Sequence, residues 1–213
     1  MSLFITLEGP DGSGKTGQAQ SLLDYLLSLE LDVVLTCEPG GTPIGDQIRE
    51  VLFSLDNTAM DPRTEFLLFS ASRAQHVAER IHPLLERGTI VISDRFFDSS
   101  LAYQGYGHQL NLQTLWTVTT FATQGLIPDR TYLLDVPVEV GIERRKQDGN
   151  WNRLDAFDLD LHKRVRSGYL QLAEDDKGRW EILDASQPFD EVQESLRQSA
   201  LKLIGSRGLL KGS

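Results

Sequence analysis

Gly9-Pro10-Asp11-Gly12-Ser13-Gly14-Lys15-Thr16 has the spacing G-x-x-x-x-G-K-[ST]. Glycine at the first and sixth positions lets the backbone curl until its N–H groups point inward, which is how a loop cradles phosphate. A lysine at the seventh position reaches the β- and γ-phosphates, and the threonine hydroxyl beside it ligates Mg²⁺. A helix opening near Gly14 adds the positive end of its dipole. All of Gly9, Pro10, Asp11, Gly12, Ser13, Gly14, Lys15 and Thr16 are therefore assigned to the phosphates of a bound nucleoside triphosphate. The context matches the mechanism: an apolar run, Leu3–Leu7, precedes the loop and a helical pattern follows it.

A second apolar run, Ile90-Val91-Ile92-Ser93, leads straight into Asp94-Arg95. Beside a phosphate loop, an acid at the end of such a run is placed to help hold Mg²⁺. The plainer alternatives are that Asp94 caps the next helix or pairs with Arg95. The planar fork of Arg95 suits a second phosphate, which it grips in two places.

These residues need a scaffold that brings strand ends together. Short apolar runs at Leu3–Leu7, Val33–Thr36, Ile90–Ser93, Thr131–Leu134 and Glu181–Leu183 alternate with helical patterns at about 14–29, 44–54, 100–104 leading into 112–124, 137–147 and 188–204. Further long helical patterns occupy 62–87 and 158–174. Strands that alternate with helices predict an α/β fold, a five-stranded parallel sheet with helices on both faces. Runs without polar alternation fit strands buried on both sides. In such folds ligands gather beyond the carboxyl ends of the strands. One domain over residues 1–204 is expected, with a frayed tail over 205–213.

Composition narrows the classes. With 21 Lys+Arg against 31 Asp+Glu, the net charge is −10, which disfavours non-specific nucleic-acid binding. Cys37 is the only cysteine, so no intrachain disulfide forms, and the histidines lack metal-ligand spacing. No apolar run nears the ~20 residues of a membrane span. The apolar N-terminus lacks a basic start and a cleavage site, so it is expected to be a first strand and not a signal peptide. The expected location is cytoplasmic.

Several separated motifs now join the loop: Glu38-Pro39-Gly40-Gly41-Thr42, Phe69-Ser70-Ala71-Ser72-Arg73, Asp94-Arg95-Phe96-Phe97-Asp98-Ser99-Ser100-Leu101-Ala102-Tyr103-Gln104-Gly105, and Asn152-Arg153-Leu154. Together they resemble the bacterial-type thymidylate kinases over Phe4 to about Ile204. The resemblance implies a P-loop NTPase fold with a small mobile lid at about 141–153, ATP and dTMP as substrates, Mg²⁺ with the ATP, and a homodimer formed through helices. It implies that Phe69 stacks on the thymine ring and Arg73 donates to it, with Ser99, Ser100 and Gln104 on the substrate side and the last two reading the base edge. It places Tyr103 against the ribose 2′ position, Asp11 at the 3′-hydroxyl, Glu38 and Arg49 on the substrate side, and Arg95 on the acceptor phosphate. The cluster Arg144, Arg145, Lys146 and Arg153 then belongs to the lid. Lys15, Arg95, Arg144, Arg145 and Arg153 are the expected catalytic residues, with Arg153 foremost because position 12 carries no arginine.

From spacing alone, Phe69 is as readily a core residue, Arg73 half of a surface ion pair, Arg49 part of a solvated helix face, Tyr103 simple packing, and the 141–153 cluster a solvated charge run. Cys37 stands where the family usually has arginine, Gly17 where it usually has a hydroxyl residue, and Phe96 where tyrosine is commoner. Two other functions stay open: a deoxynucleoside kinase using Glu38 as base, and a GTP- or ATP-binding module without catalysis, although no N-K-x-D tetrapeptide is present. The choice between dTMP and dUMP turns on one methyl group, which the sequence does not decide.

Overall fold

The computed structural model describes residues 2–147, 149 and 152–210. Strands β1 (Leu3–Glu8), β2 (Val33–Cys37), β3 (Ile90–Asp94), β4 (Arg130–Asp135) and β5 (Trp180–Asp184) form one parallel sheet in the order β2-β3-β1-β4-β5. Each expected strand is present and one or two residues longer than its apolar run. The register pairs Asp94 with both Leu7 and Cys37. The loops that begin at Gly9, Glu38 and Arg95 therefore leave the sheet side by side.

β1 is buried along its whole length. Side chains alternate across a strand, so both faces need cover. Leu3, Ile5 and Leu7 meet Ala19, Leu22 and Leu26 of helix α1 (Lys15–Ser28), together with Leu196 and Ala200 of the C-terminal helix. On the opposite face Phe4 and Val91 pack with Phe66, Phe96, Phe97 and Leu115. Helix α2 (Pro43–Phe53) starts with Thr42 accepting from the Gly45 N–H, and Pro43 sits where no N–H is needed. Helix α3 (Pro62–His76) starts the same way behind Asp61.

Two helical stretches differ from expectation. The pattern over 62–87 is not one α-helix: α3 passes into a π-helical turn, Val77–Ile81, before α4 (His82–Glu86). Pro83 accounts for the change. It has no N–H, and its ring would meet the carbonyl four residues back, so a wider turn relieves the clash. The other stretch begins earlier than expected, with α5 (Phe97–Ser100), and continues as π-helix over Leu101–Gly107 before α6 (Leu112–Thr123). The Tyr103 carbonyl there accepts from the His108 N–H, five residues on. Gly105 lets Leu112 approach so closely that a Cβ would lie 2.4 Å from its Cδ2.

Helices α7 (Val138–Gln147), α8 (Leu159–Asp175) and α9 (Phe189–Ser206) complete the architecture, with a 3₁₀ turn over Arg153–Ala156. The chain end departs from the expected fraying at 205. α9 runs to Ser206, Arg207 pairs with Asp129 at 2.8 Å, and Leu209 packs on the apolar core. Residues 211–213 lie outside the described residues. No helix among those described is long and apolar enough to cross a membrane.

One buried ion pair ties the sheet to the segment that carries the site. Arg179 grips both oxygens of Asp98 in α5 at 2.6 and 2.9 Å and donates to Thr131 Oγ1 at 2.7 Å. Asp98 is wholly buried, and its carboxyl is pushed up by burial while the bonds from Arg179 oppose the shift. Removing one partner leaves an uncompensated charge inside, which typically costs ~3–5 kcal/mol. Arg179→Met is expected to lower unfolding stability by about that amount, measured by urea denaturation. A change below ~1 kcal/mol would show that the pair does not hold this edge.

Candidate active site

A cavity of about 1060 Å³ opens at the carboxyl ends of the central strands. Of the residues singled out in the sequence for a site role, Gly9, Pro10, Arg73, Lys146 and Arg153 do not line it and the others do. One wall is the glycine loop. Gly9, Gly12 and Gly14 have φ of 144°, 75° and 86°, a region L side chains rarely adopt. Gly12 also lies against Gly141 of α7, where a Cβ would be 2.0 Å from the Gly141 carbonyl oxygen. No side chain fits at position 12 in this arrangement, because Gly141 of α7 occupies its space.

Lys15 follows the loop and is buried, with Nζ donating to the Pro10 carbonyl at 2.8 Å and to Ser13 Oγ at 3.1 Å. Burial, then the nearby Arg95 charge, lowers its pKa to about 8, against the pull of Asp11, Asp94 and Glu8. Thr16 Oγ1 donates to Asp94 Oδ2 at 2.5 Å. A hydroxyl and one carboxylate, with no larger cluster of His, Cys, Asp or Glu among the described residues, fit a hard cation that takes its other ligands from phosphate and water.

Across the cavity stands Arg95, itself in the left-handed region with φ of 70°. Such backbone strain in a non-glycine residue persists only where surrounding contacts impose it. Here they do. Nη2 donates to Asp11 Oδ1 at 2.6 Å, and Nη1 faces the Gly9 carbonyl, Ser99 Oγ and Tyr169 OH at 3.0–3.1 Å. Tyr103 OH donates to the other Asp11 oxygen at 2.6 Å. Burial alone would raise the Asp11 pKa, but Arg95, Lys15 and the Tyr103 hydroxyl prevail and hold it below its ordinary value. A cation beneath a phosphate cradle and a second cation fixed opposite make room for two phosphate groups in one cavity.

A sequence model of the thymidylate kinase family matches residues 7–196. A thymidylate kinase of Roseiflexus castenholzii is 48% identical over 209 residues, covering 92% of this chain and 91% of its own, and one of Clostridium novyi is 46% identical over 196 residues, covering 91% and 96%. The crystal structure of thymidylate kinase from Ehrlichia chaffeensis superposes with a TM-score of 0.78 at 32% identity, over 94% of this chain and 98% of that one. The chain belongs to the thymidylate kinase family. Its enzyme class is that of an ATP-dependent nucleoside monophosphate kinase, on the P-loop NTPase fold.

Two arginines of this thymidylate kinase family member depart from expectation. Arg73 was expected to donate to the base or to sit in a surface ion pair. It is 1% exposed and lies behind the cavity wall. Its Nε meets Glu38 Oε2 at 2.7 Å, while Nη1 and Nη2 donate to Ser100 Oγ and the Phe96 carbonyl, both at 3.2 Å. Arg153, expected to lead the lid arginines, is 4% exposed and does not reach the cavity. It donates to Glu65 Oε2 at 2.6 Å and to the Leu52 carbonyl at 2.9 Å. Arg144 and Arg145, on the last turn of α7, do line the cavity, and Arg144 Nη1 donates to the Ala185 carbonyl at 2.8 Å. Of the expected lid, residues 148, 150 and 151 lie outside the described residues.

Glu38 has Arg73 on one oxygen and His76 Nδ1 3.0 Å from the other. Cys37 lines the cavity beside Arg49. Its thiol is pushed up by burial, against the Arg49 charge, with Asp94, Asp46 and Glu38 adding to the rise. Arg49 is fixed by its bond to the Pro39 carbonyl at 2.8 Å and lies over the Phe53 ring. It thus supplies positive charge beside the position where the family usually has arginine.

Glu8 and Tyr169 were missed. Glu8 is fully buried and accepts from the Phe96 N–H at 2.7 Å, Ser99 Oγ at 2.6 Å and Tyr169 OH at 3.1 Å. Both hydroxyls also face Arg95, so Glu8 turns their lone pairs toward the guanidinium. An acid ending an apolar strand was a usable signal for Glu8. Tyr169 gave none. Burial and then Asp98 raise the Glu8 pKa to about 7, against Arg95, Ser99 and Phe96. A folded pKa above the unfolded value means that the native state binds the extra proton. Its contribution is complete below about pH 4.5 and disappears as pH rises through about 7. Relative to Glu8→Gln, the wild type should therefore lose on the order of a few kcal/mol of stability between pH 5 and 8. Parallel stability–pH curves for the two proteins would contradict this.

Proposed function

We propose that the protein transfers the γ-phosphoryl group of ATP to dTMP, giving ADP and dTDP. The observation that carries the reading is the pair of opposed cations in one cavity, Lys15 in the glycine loop and Arg95 locked to Asp11. The loop takes the ATP phosphates, and Arg95, with Arg49 beside it, takes the phosphate of dTMP. The attacking oxygen of a phosphomonoester is already ionised near neutrality, since its second pKa is ~6. No base is then needed: the new bond forms between that oxygen and the γ-phosphorus while the bridge to the β-phosphate breaks. Glu38, the base of the deoxynucleoside kinase alternative, has both oxygens engaged by Arg73 and His76, which speaks for the monophosphate acceptor.

Thr16 and Asp94 would hold Mg²⁺, which when bound neutralises charge on the phosphoryl oxygens. Lys15 orients the same oxygens. Arg144 and Arg145 approach from α7 and place positive charge over the group in transit. Phe69 in the cavity wall offers its ring to the thymine. Tyr103 bonded to Asp11 crowds the sugar. The residues at 141–153 act as the lid that excludes water.

Release of ADP should be strong with ATP·Mg²⁺ and dTMP and absent with thymidine. Turnover with thymidine but not dTMP would overturn the reading. Arg144→Ala and Arg145→Ala together should lower kcat at least about a hundredfold with little change in KM for dTMP, as expected for charge supplied mainly in the transition state. An unchanged kcat would remove these arginines from the mechanism.

We also read the protein as a cytoplasmic homodimer. Leu67 on α3 and Trp116 and Phe121 on α6 are exposed apolar side chains on adjacent helices, with Phe121 at 86%. Sedimentation should give twice the chain mass, and Phe121→Glu should shift the equilibrium toward monomer. A wild-type monomer at micromolar concentration would contradict the assignment.

A further inference from the structure

The base-facing corner of the cavity contains two side chains whose polarity is set from behind. Gln104 lines the cavity and is 1% exposed. Its amide Nε2 donates to Glu65 Oε1 at 2.8 Å, while its Oε1 is buried with no hydrogen-bond partner. An amide can present either a donor or an acceptor, and the choice belongs to whatever holds its other end. That holder is the Glu65 carboxylate, 1% exposed, whose second oxygen takes the Arg153 guanidinium at 2.6 Å. Burial would raise the Glu65 pKa, but His108, Arg153 and Gln104 together hold it below its usual value, so the group is an acceptor on both oxygens. Gln104 is left as an acceptor. Ser100 also lines the cavity, and its Oγ accepts from Arg73 Nη1 at 3.2 Å, which leaves its O–H free to donate.

We infer that Glu65 is a positioning residue for base selection: held by Arg153, it fixes Gln104 as an acceptor next to the Ser100 donor, so that the corner takes an imide edge, a ring N–H beside a carbonyl. This rests on the reading above in which Gln104 and Ser100 face the base. Thymine and uracil carry such an edge at N3 and O4. Cytosine carries the reverse, a ring acceptor beside an amino donor. An unmatched buried polar group is costly, so discrimination of this kind can be large. Neither Glu65 nor Arg153 need touch the substrate.

The substitution Glu65→Gln tests this with a directional outcome. Arg153 has only donors, so it demands the oxygen of the new amide. The NH₂ of residue 65 then faces Gln104, which must turn its own oxygen inward and offer Nε2 to the base. kcat/KM should be measured for dTMP, dUMP and dCMP with both proteins. The wild type should favour dTMP and dUMP over dCMP. In the variant the dTMP-to-dCMP ratio should fall at least about tenfold, through loss with dTMP and gain with dCMP, at unchanged KM for ATP. Equal losses with all three acceptors in a folded variant would mean that Glu65 is structural only, and would overturn the proposal while leaving the kinase reading intact. Should Glu65→Gln fail to fold, binding of dTMP, dCMP and 3-methyl-dTMP to the wild type decides: equal affinities would refute a fixed acceptor at N3, and selective loss with the last two would support it. A wild type inactive with dTMP would take down the underlying reading and this proposal with it.

Discussion

Arg95 and Asp11 meet at 2.6 Å, and this ion pair joins the turn after β1 to the turn after β3. Most of the cavity is arranged around it. The strained backbone of Arg95 is held by three further acceptors, and two of those, Ser99 and Tyr169, are turned by the carboxyl of Glu8 below. Tyr103 completes the set by donating to the free oxygen of Asp11. A guanidinium anchored on this many sides cannot swing freely, so its remaining donors point in one direction. Preorganised charge of this kind costs no reorganisation when a second anion arrives. The sheet register makes the arrangement possible, since it brings Leu7 and Asp94 level and delivers both turns to the same edge.

The same cluster reconciles an acidic protein with a polyanionic ligand. The net charge of −10 repels phosphate on average. Locally, Lys15, Arg49, Arg95, Arg144 and Arg145 all line one cavity. Two of the acids among them are engaged with cations, Asp11 with Arg95 and Glu38 with Arg73, and Asp94 accepts from the Thr16 hydroxyl. Asp11 and Glu38 thus serve to hold basic groups in place. Desolvation lowers the Lys15 pKa to about 8 yet leaves it largely protonated near neutrality, and a bound polyphosphate would favour the charged form further.

What could be read in the sequence follows the range of the interactions. The strands and the glycine loop depend on residues next to one another, and every strand lies where the pattern put it. The widened turns at 77–81 and 101–107 were lost because apolar periodicity does not separate a π-turn from an α-turn, although Pro83 and the glycines at 105 and 107 mark them. The partners of Arg73 and Arg153 were not legible for a different reason. Their partners, Glu38 and Glu65, are 35 and 88 positions away. A motif names the residue, and only the tertiary fold names the acid that receives it. Glu8 stands between these cases, since an acid in an otherwise apolar strand must find donors or stay protonated, and this was visible without any partner being known.

The arginines between 141 and 153 show how far a charge run can be resolved. Arg144 and Arg145 end α7, where the helix dipole favours positive charge, and they project over the cavity beside the glycine loop. Arg153 follows in a 3₁₀ turn and is drawn inward instead. Burying a guanidinium is unfavourable unless it is paired and its donors are satisfied. Glu65 and the Leu52 carbonyl meet that condition, and they also connect the turn at Arg153–Ala156 to α2 and α3. The position of this segment is therefore coupled to Glu65, and through Glu65 to Gln104 in the cavity wall. A single buried carboxylate thus links the turn after α7 with a side chain of the cavity wall. Any movement of the segment that withdraws Arg153 must also change the field acting on Gln104.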